Sequence, residues 1–255
     1  MRYEIKLKND ADIKHLRESC RRLSVALKKT AQEVKPGVTT GYLNDFFHNL
    51  VVAEGDTPAF LDYQPFGAEY PYPGSICISV NDEVVHGIGG SRVLEEGDIV
   101  GLDGGIKHKG MISDSAITVP VGTISEEDAE LLRVTKEALM AGIHAARGGN
   151  FVNDISKAIE KAVPKKYGIV KILSGHGVGY KVHEEPFVPN FDDGVKGPRL
   201  VPGLVLAIEP MVNLGTDEVS LAEDGYTFFT DDHKKSAHFE HTILITEDKP
   251  EILTA

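Results

Sequence analysis

Hydrophobic and polar positions along the chain keep two rhythms, one helical and one extended. An amphipathic pattern starts at Asn9-Asp10, a pair able to cap a helix, and runs to about Val34 before Pro36-Gly37 breaks it. Thr39 or Thr40 can cap a second helix, to about Glu54. The same order returns downstream. Ser125-Glu126-Glu127-Asp128 resembles a capping box and opens a helix to about Arg147. Gly148-Gly149 interrupts it, and Asn150 can cap another to about Lys165. The segments ALKKTAQEVKPG and ALMAGIHAARGG align without a gap at an offset of about 110 residues. That match predicts an internal duplication, with halves at about 1–120 and 121–255 of a single 1–255 domain.

After each helix pair the period shortens to that of strands. Ser75–Val80 and Glu83–Gly87 flank Asn81-Asp82, a hairpin turn signal. Asp98–Leu102 and Ser115–Val119 flank Lys107-His108-Lys109-Gly110, which reads as a second hairpin loop. In the second half Ile169–Ser174, Leu204–Ile208 and Ala237–Thr246 read as strands. The predicted fold class is α+β, a curved antiparallel sheet with helices on its outer face.

Composition narrows the function. With 255 residues, 41% hydrophobic and 26% charged, the chain can bury a full core. A net charge of −12 argues against a nucleic-acid surface, which needs clustered Lys and Arg. Cys20 and Cys77 are too few for a disulfide framework, no signal peptide is evident, and no apolar run approaches the roughly 20 residues of a membrane span. A reduced, cytoplasmic protein bound to neither membrane nor nucleic acid is expected.

The chemistry lies in five residues, Asp103, Asp114, His176, Glu209 and Glu240, set in GLDGG, ISDSA, GHGVG, AIEPM and FEHTI. A hairpin centred on His108 and Lys109 pairs Asp103 directly opposite Asp114 on one face of the sheet, a like-charge pair that needs a cation between its members. Glu209 ends the apolar run Leu204–Ile208, and Glu240 precedes another, where an acid without a partner is costly. Three glycines around His176 let the backbone pass close to a neighbour, and their spacing matches no phosphate loop. Four carboxylates and one imidazole suit two bridged divalent ions, with Mn, Fe, Co and Zn all compatible. His86 and His183 lie in glycine- and proline-marked segments, His238 shares a strand face with Glu240, and His241 points the opposite way.

Taken together, VNDEVVHGI, the paired aspartates, GHGVGYKVHEEP, AIEPMVN and SAHFEHTILIT resemble the type I methionine aminopeptidases, metallopeptidases of the pita-bread fold. The resemblance spans nearly the whole chain and implies a pseudo-symmetric α+β domain. It implies that Asp103 binds one metal, that His176 and Glu209 bind the other, and that Asp114 and Glu240 bridge both. By the same resemblance a metal-bound water or hydroxide is the nucleophile, Glu209 is the general base, and His86 and His183 contact the scissile peptide. The expected substrates are N-termini of nascent polypeptides with a small second residue, met as a monomer with transient ribosome contact. Phe60, Tyr63, Phe66, Cys77, Val182 and Tyr226 fall at the pocket positions.

The chain departs from the family pattern in a longer connection at 67–74, in Tyr226 within Asp224-Gly225-Tyr226-Thr227, and in an acidic Thr216–Asp232 stretch that does not suit ribosome docking. Proline-specific peptidases of the same fold and a non-catalytic binding module are the alternatives. Met211, Glu240-His241-Thr242 and the complete ligand set favour the methionine enzymes.

Overall fold

The structure, a computed structural model, describes residues 4–255; Met1–Tyr3 of the predicted 1–120 half lie outside the described residues. Helix α1 (Asp10–Gln32) begins where Asn9 Oδ1 accepts from the Ala11 and Asp12 amides and the Asp12 carboxylate accepts from the Asn9 amide. Leu16, Cys20, Leu23 and Leu27 follow at steps of four, three and four, and all are buried. Burying one such leucine contributes roughly 1.5–3 kcal/mol. Thr39 Oγ1 caps α2 (Thr40–Ala53), and Ser125 Oγ caps α3 (Glu126–Ala145). Helix α4 (Val152–Ala162) closes onto α3 at Gly142, where a Cβ would lie 2.7 Å from Ile159 Cγ1.

One expected cap is displaced. Asn150 does not cap α4: its Nδ2 donates to the Ala145 carbonyl and closes α3, while the Phe151 amide is held by the Asp154 carboxylate at 2.8 Å. Gly149, at φ 93°, swings the chain away from α3, so the next helix starts one residue later than expected.

The first half contributes β1 (Thr57–Pro58), β2 (Ile76–Val80), β3 (Glu83–Val85), β4 (Ile99–His108) and β5 (Met111–Pro120). The second contributes β6 (Gly168–Ile169), β7 (Ser174–Gly177), β8 (Glu184–Pro189), β9 (Val205–Ile208) and β10 (Met211–Asn213). It ends with β11 (Val219–Leu221), β12 (Phe228–Thr230), β13 (Ser236–His238), β14 (His241–Leu244) and β15 (Glu251–Ile252). Among the described residues four antiparallel sheets result: β1-β4-β2 with β5 also on β4, β13-β10-β6, β11-β12-β3, and β15-β14-β9-β7-β8.

Three strand expectations are corrected. The β4–β5 hairpin turns at Lys109-Gly110, both at positive φ, so His108 faces Met111, Asp103 faces Ala116 and Asp114 faces Gly105. Asp103 and Asp114 are therefore diagonal neighbours, not directly opposed; the slip of two residues keeps both on one face. Asn81-Asp82 turns the chain without making a β2–β3 hairpin. Strand β2 pairs with β4 and β3 with β12, and the Asn81 amide group bridges Asp98 and the Ile99 amide. Ile169–Ser174 and Ala237–Thr246 each divide between two sheets, the latter at Phe239-Glu240.

That second break makes the seam on which the site depends. The Glu240 amide donates to the Ala116 carbonyl at 2.9 Å, and Ser115 Oγ donates to the Glu240 carbonyl at 2.8 Å. Thr118 Oγ1 donates to the His238 carbonyl at 2.7 Å and accepts from its amide at 2.9 Å. Thr242 Oγ1 does the same for Asp114, at 2.6 and 3.2 Å. Side-chain hydroxyls thus join β5 to β13 and β14 where no regular ladder runs.

Candidate metal centre

Two of the four acids stand inside strands and two where strands stop. Asp103 and Asp114 sit on β4 and β5, His176 on β7, Glu209 after β9 where Pro210 cannot extend the ladder, and Glu240 between β13 and β14. Strand β7 packs against β9 closely enough that a Cβ at Gly175 would lie 2.4 Å from the Ala207 carbonyl oxygen. His176 Nδ1 lies 2.9 Å from the Gly177 carbonyl, to which its proton can be donated. That tautomer leaves Nε2 as a lone pair, 3.3 Å from Glu209 Oε1 and 3.9 Å from Asp114 Oδ2.

The electrostatics are those of a site short of positive charge. Burial pushes Asp103 up to about 7 and Glu209 up to about 8. Asp114 and Glu240 rise well above the carboxylate range, first by burial and then by the neighbouring acids. Burial also pushes His176 down to about 3, so its imidazole is neutral. Among the described residues Asp103 Oδ1, Asp114 Oδ1 and Glu240 Oε1 are buried with no hydrogen-bond partner. Donor atoms of Asp114, His176 and Glu240 lie within 4.8 Å of one another. Buried, unpartnered oxygens beside a neutral imidazole fit hard or borderline divalent cations.

Around this floor stands a cavity of about 70 Å³ lined by all five residues and by His86, His183, Phe60, Tyr63, Cys77, Val182 and Tyr226. Tyr63 Oη lies 2.8 Å from His183 Nδ1, and the His183 ring meets His176 edge-on at 4.5 Å. His86, at φ 61°, is half-buried, and desolvation pushes it down to about 4. His238, beside Glu209 with Nε2 3.6 Å from Oε2, is buried and lowered by burial. His241 turns away to Thr254 Oγ1, at 2.8 Å.

Phe66 is not in the lining. Gly67, at φ 92°, turns the chain outward and leaves the Phe66 ring fully exposed. Pro65 and Tyr72 stand in the wall instead. Tyr72 follows a loop-like Pro71 and gives little sign in sequence, except that it resumes the apolar pattern before Ile76.

Next to His183, Glu184 forms an ion pair with Lys8 at 2.8 Å, with both side chains almost wholly enclosed. Its other oxygen accepts from the Tyr180 and Lys181 amides. The pair ties the segment before α1 to the loop that carries His183.

Residues 14–247 match the model of metallopeptidase family M24. Methionine aminopeptidase 1 of Bacillus subtilis is 45% identical over 240 residues, covering 94% of each chain. The chain belongs to the methionine aminopeptidase family. Within that family, the crystal structure of the methionine aminopeptidase of Rickettsia prowazekii is 35% identical with a TM-score of 0.94, covering 98% of this chain and all of that one. The prolidase of Pyrococcus furiosus, 22% identical with a TM-score of 0.75, covers 98% of this chain and 65% of its own, and shares the pita-bread fold alone. As an M24 metallopeptidase, this methionine aminopeptidase family member is a hydrolase that works with divalent metal ions. Among the described residues no helix is long and apolar enough to cross a membrane.

Proposed function

We propose that the chain removes the N-terminal methionine from nascent proteins and peptides whose second residue is small, using two divalent cations. The observation that carries this reading is a cluster of buried, unpartnered carboxylate oxygens at the base of a cavity walled by Phe60, Tyr63, Tyr72, Cys77, Val182 and Tyr226. A polar floor under an apolar, sulfur- and aromatic-lined wall suits a peptide bond beside an unbranched thioether. Asp103 would hold one cation, His176 and Glu209 the other, with Asp114 and Glu240 shared. Bound there, the cations supply Lewis acidity toward the scissile carbonyl and lower the pKa of an attacking water toward neutrality.

The remaining work falls to side chains. Glu209, whose burial makes it a stronger base than an exposed carboxylate, takes the proton from the attacking water and returns it to the departing amine. Tyr63, by donating to His183 Nδ1, fixes the tautomer in which Nε2–H faces the cavity as a donor to the developing oxyanion. His86, on its strained backbone, lines the same space. The free, buried Cys20 and Cys77 suit a reducing compartment, and we place the enzyme in the cytoplasm as a monomer.

The test strips the metal, restores Mn²⁺ or Co²⁺, and measures amino acids released from Met-Ala-Ser, Met-Lys-Ser and Ala-Pro-Ala. Metal-dependent methionine release from Met-Ala-Ser alone is the expected result. Cleavage of Ala-Pro-Ala would move the chain to proline-specific chemistry, and silence with metal bound would leave a binding module.

A further inference from the structure

The two departures nearest the pocket, the 67–74 insertion and Tyr226, touch each other. The Tyr226 hydroxyl donates to the Tyr70 carbonyl, and the Tyr70 hydroxyl donates to the Asp224 carbonyl. The Tyr70 ring meets Tyr226 edge-on, with centroids 5.2 Å apart and planes at 75°. Tyr72, from within the cavity wall, meets Tyr226 at 5.1 Å and 73°, anchored by its hydroxyl on the Gly87 carbonyl at 2.8 Å. The turn beneath is fixed as well: the Asp224 carboxylate accepts from the Tyr226 and Thr227 amides, both at 2.9 Å. Tyr226 and Tyr72 line the cavity; Tyr70, 40% exposed, stands outside it as the backing of the wall.

We propose that Tyr70 is a specificity-determining positioning residue: it clamps Tyr226 against Tyr72 as a rigid wall that admits the unbranched methionine side chain and excludes γ-branched leucine. The proposal rests on the functional reading above. A tyrosine ring hinged at two torsions and held on one face alone could tilt outward and make room for a branch. Two edge-on contacts and a hydroxyl tied to the insertion's backbone remove that freedom. A wall that cannot move turns one misplaced methyl into a steric penalty; a wall that can move turns it into a small rearrangement. On this account the insertion restores, from outside, a rigidity that Tyr226 alone would not give.

The Mn²⁺-loaded protein, with Tyr70→Ala and Tyr70→Phe, is compared on Met-Ala-Ser and Leu-Ala-Ser, and the binding of free methionine and leucine is measured by calorimetry. Tyr70→Ala is expected to lower the methionine-to-leucine ratio of kcat/KM by about five- to ten-fold, chiefly through KM, with the pH profile of kcat unchanged. Tyr70→Phe keeps the ring contact and is expected to hold the ratio within about two-fold of wild type. An unchanged ratio in Tyr70→Ala, or an equal loss on both peptides, overturns the proposal. If the wild-type chain releases nothing from Met-Ala-Ser, the functional reading fails, and the calorimetric affinity ratio still decides the role of Tyr70.

Discussion

Replacing Glu209 with glutamine should stabilise the metal-free protein, by an amount that grows with pH. In the folded chain the Glu209 carboxyl ionises near 8, against 4.5 for an exposed glutamate. Between those values the folded state holds a proton that the unfolded state gives up, so stability falls as pH rises through the window. Integrated for an isolated group, the penalty is about 1 kcal/mol at pH 5 and about 4 kcal/mol at pH 8. Asp103, Asp114 and Glu240 are all raised by Glu209 and ionise more readily once it is gone, so their own penalty relaxes in the same direction. The gain between pH 5 and pH 8 is therefore about 3 kcal/mol, or roughly 6–12 °C in Tm for a chain of this size. Glutamine brings its own buried amide, but that cost is the same at both pH values. The assay is thermal unfolding of wild type and Glu209→Gln in chelator at pH 5 and pH 8. The offset between the two proteins should shift in favour of the variant at the higher pH. An offset equal at both pH values would refute the reasoning, since Glu209 would then ionise normally in the metal-free site.

Four further outcomes follow from the same geometry. With metal restored, Glu209→Gln should lose about 10²–10⁴-fold in turnover of Met-Ala-Ser while keeping its far-UV circular dichroism. Because Asp103 holds its proton to about 7, loading Mn²⁺ should release protons below that pH and affinity should climb from pH 6 to 8, read by calorimetry in buffers of different ionisation enthalpy. Lys8→Met leaves Glu184 charged and enclosed without its partner, and urea unfolding should show a loss of about 3–5 kcal/mol. Gly175→Ala puts a Cβ 2.4 Å from the Ala207 carbonyl oxygen, so β7 must move off β9 and carry His176 with it; metal affinity should fall even where the variant folds.

The helices were legible because their starts are chemical. Asn9, Thr39 and Ser125 each place an oxygen where unpaired amides need one. Asn150 looked like a fourth such start, but a side chain that can cap a beginning can also close an end, and Gly149 decided between them. Phe66 was placed in the pocket by the family resemblance. A matched position carries no information on where a side chain points once a glycine at positive φ turns the chain, and Gly67 does that one residue later. The hydroxyl seam of Ser115, Thr118 and Thr242 had no sequence signature, since nothing local marks a threonine that will bond a backbone more than a hundred residues away.

The expectation that Asp103 and Asp114 share one face survived an error in the very hairpin used to reach it, and the reason is geometric. The expected turn at His108-Lys109 and the observed turn at Lys109-Gly110 differ by two residues in register. Side chains on a strand alternate with period two, so this slip exchanges a directly opposed pair for a diagonal one without moving either aspartate off its face. A slip of one would have sent Asp103 and Asp114 to opposite faces and removed the argument for a cation between them. What the sequence carried was the parity of the acids with respect to the core: Leu102 and Ile106 on one side of β4, Asp103 on the other. Parity is fixed by burial over the whole strand, and so it is more robust than the identity of any one cross-strand partner. The same holds at Glu209 and Glu240, where apolar neighbours fix which way the carboxylate can face even though the sheets they join could not be foreseen.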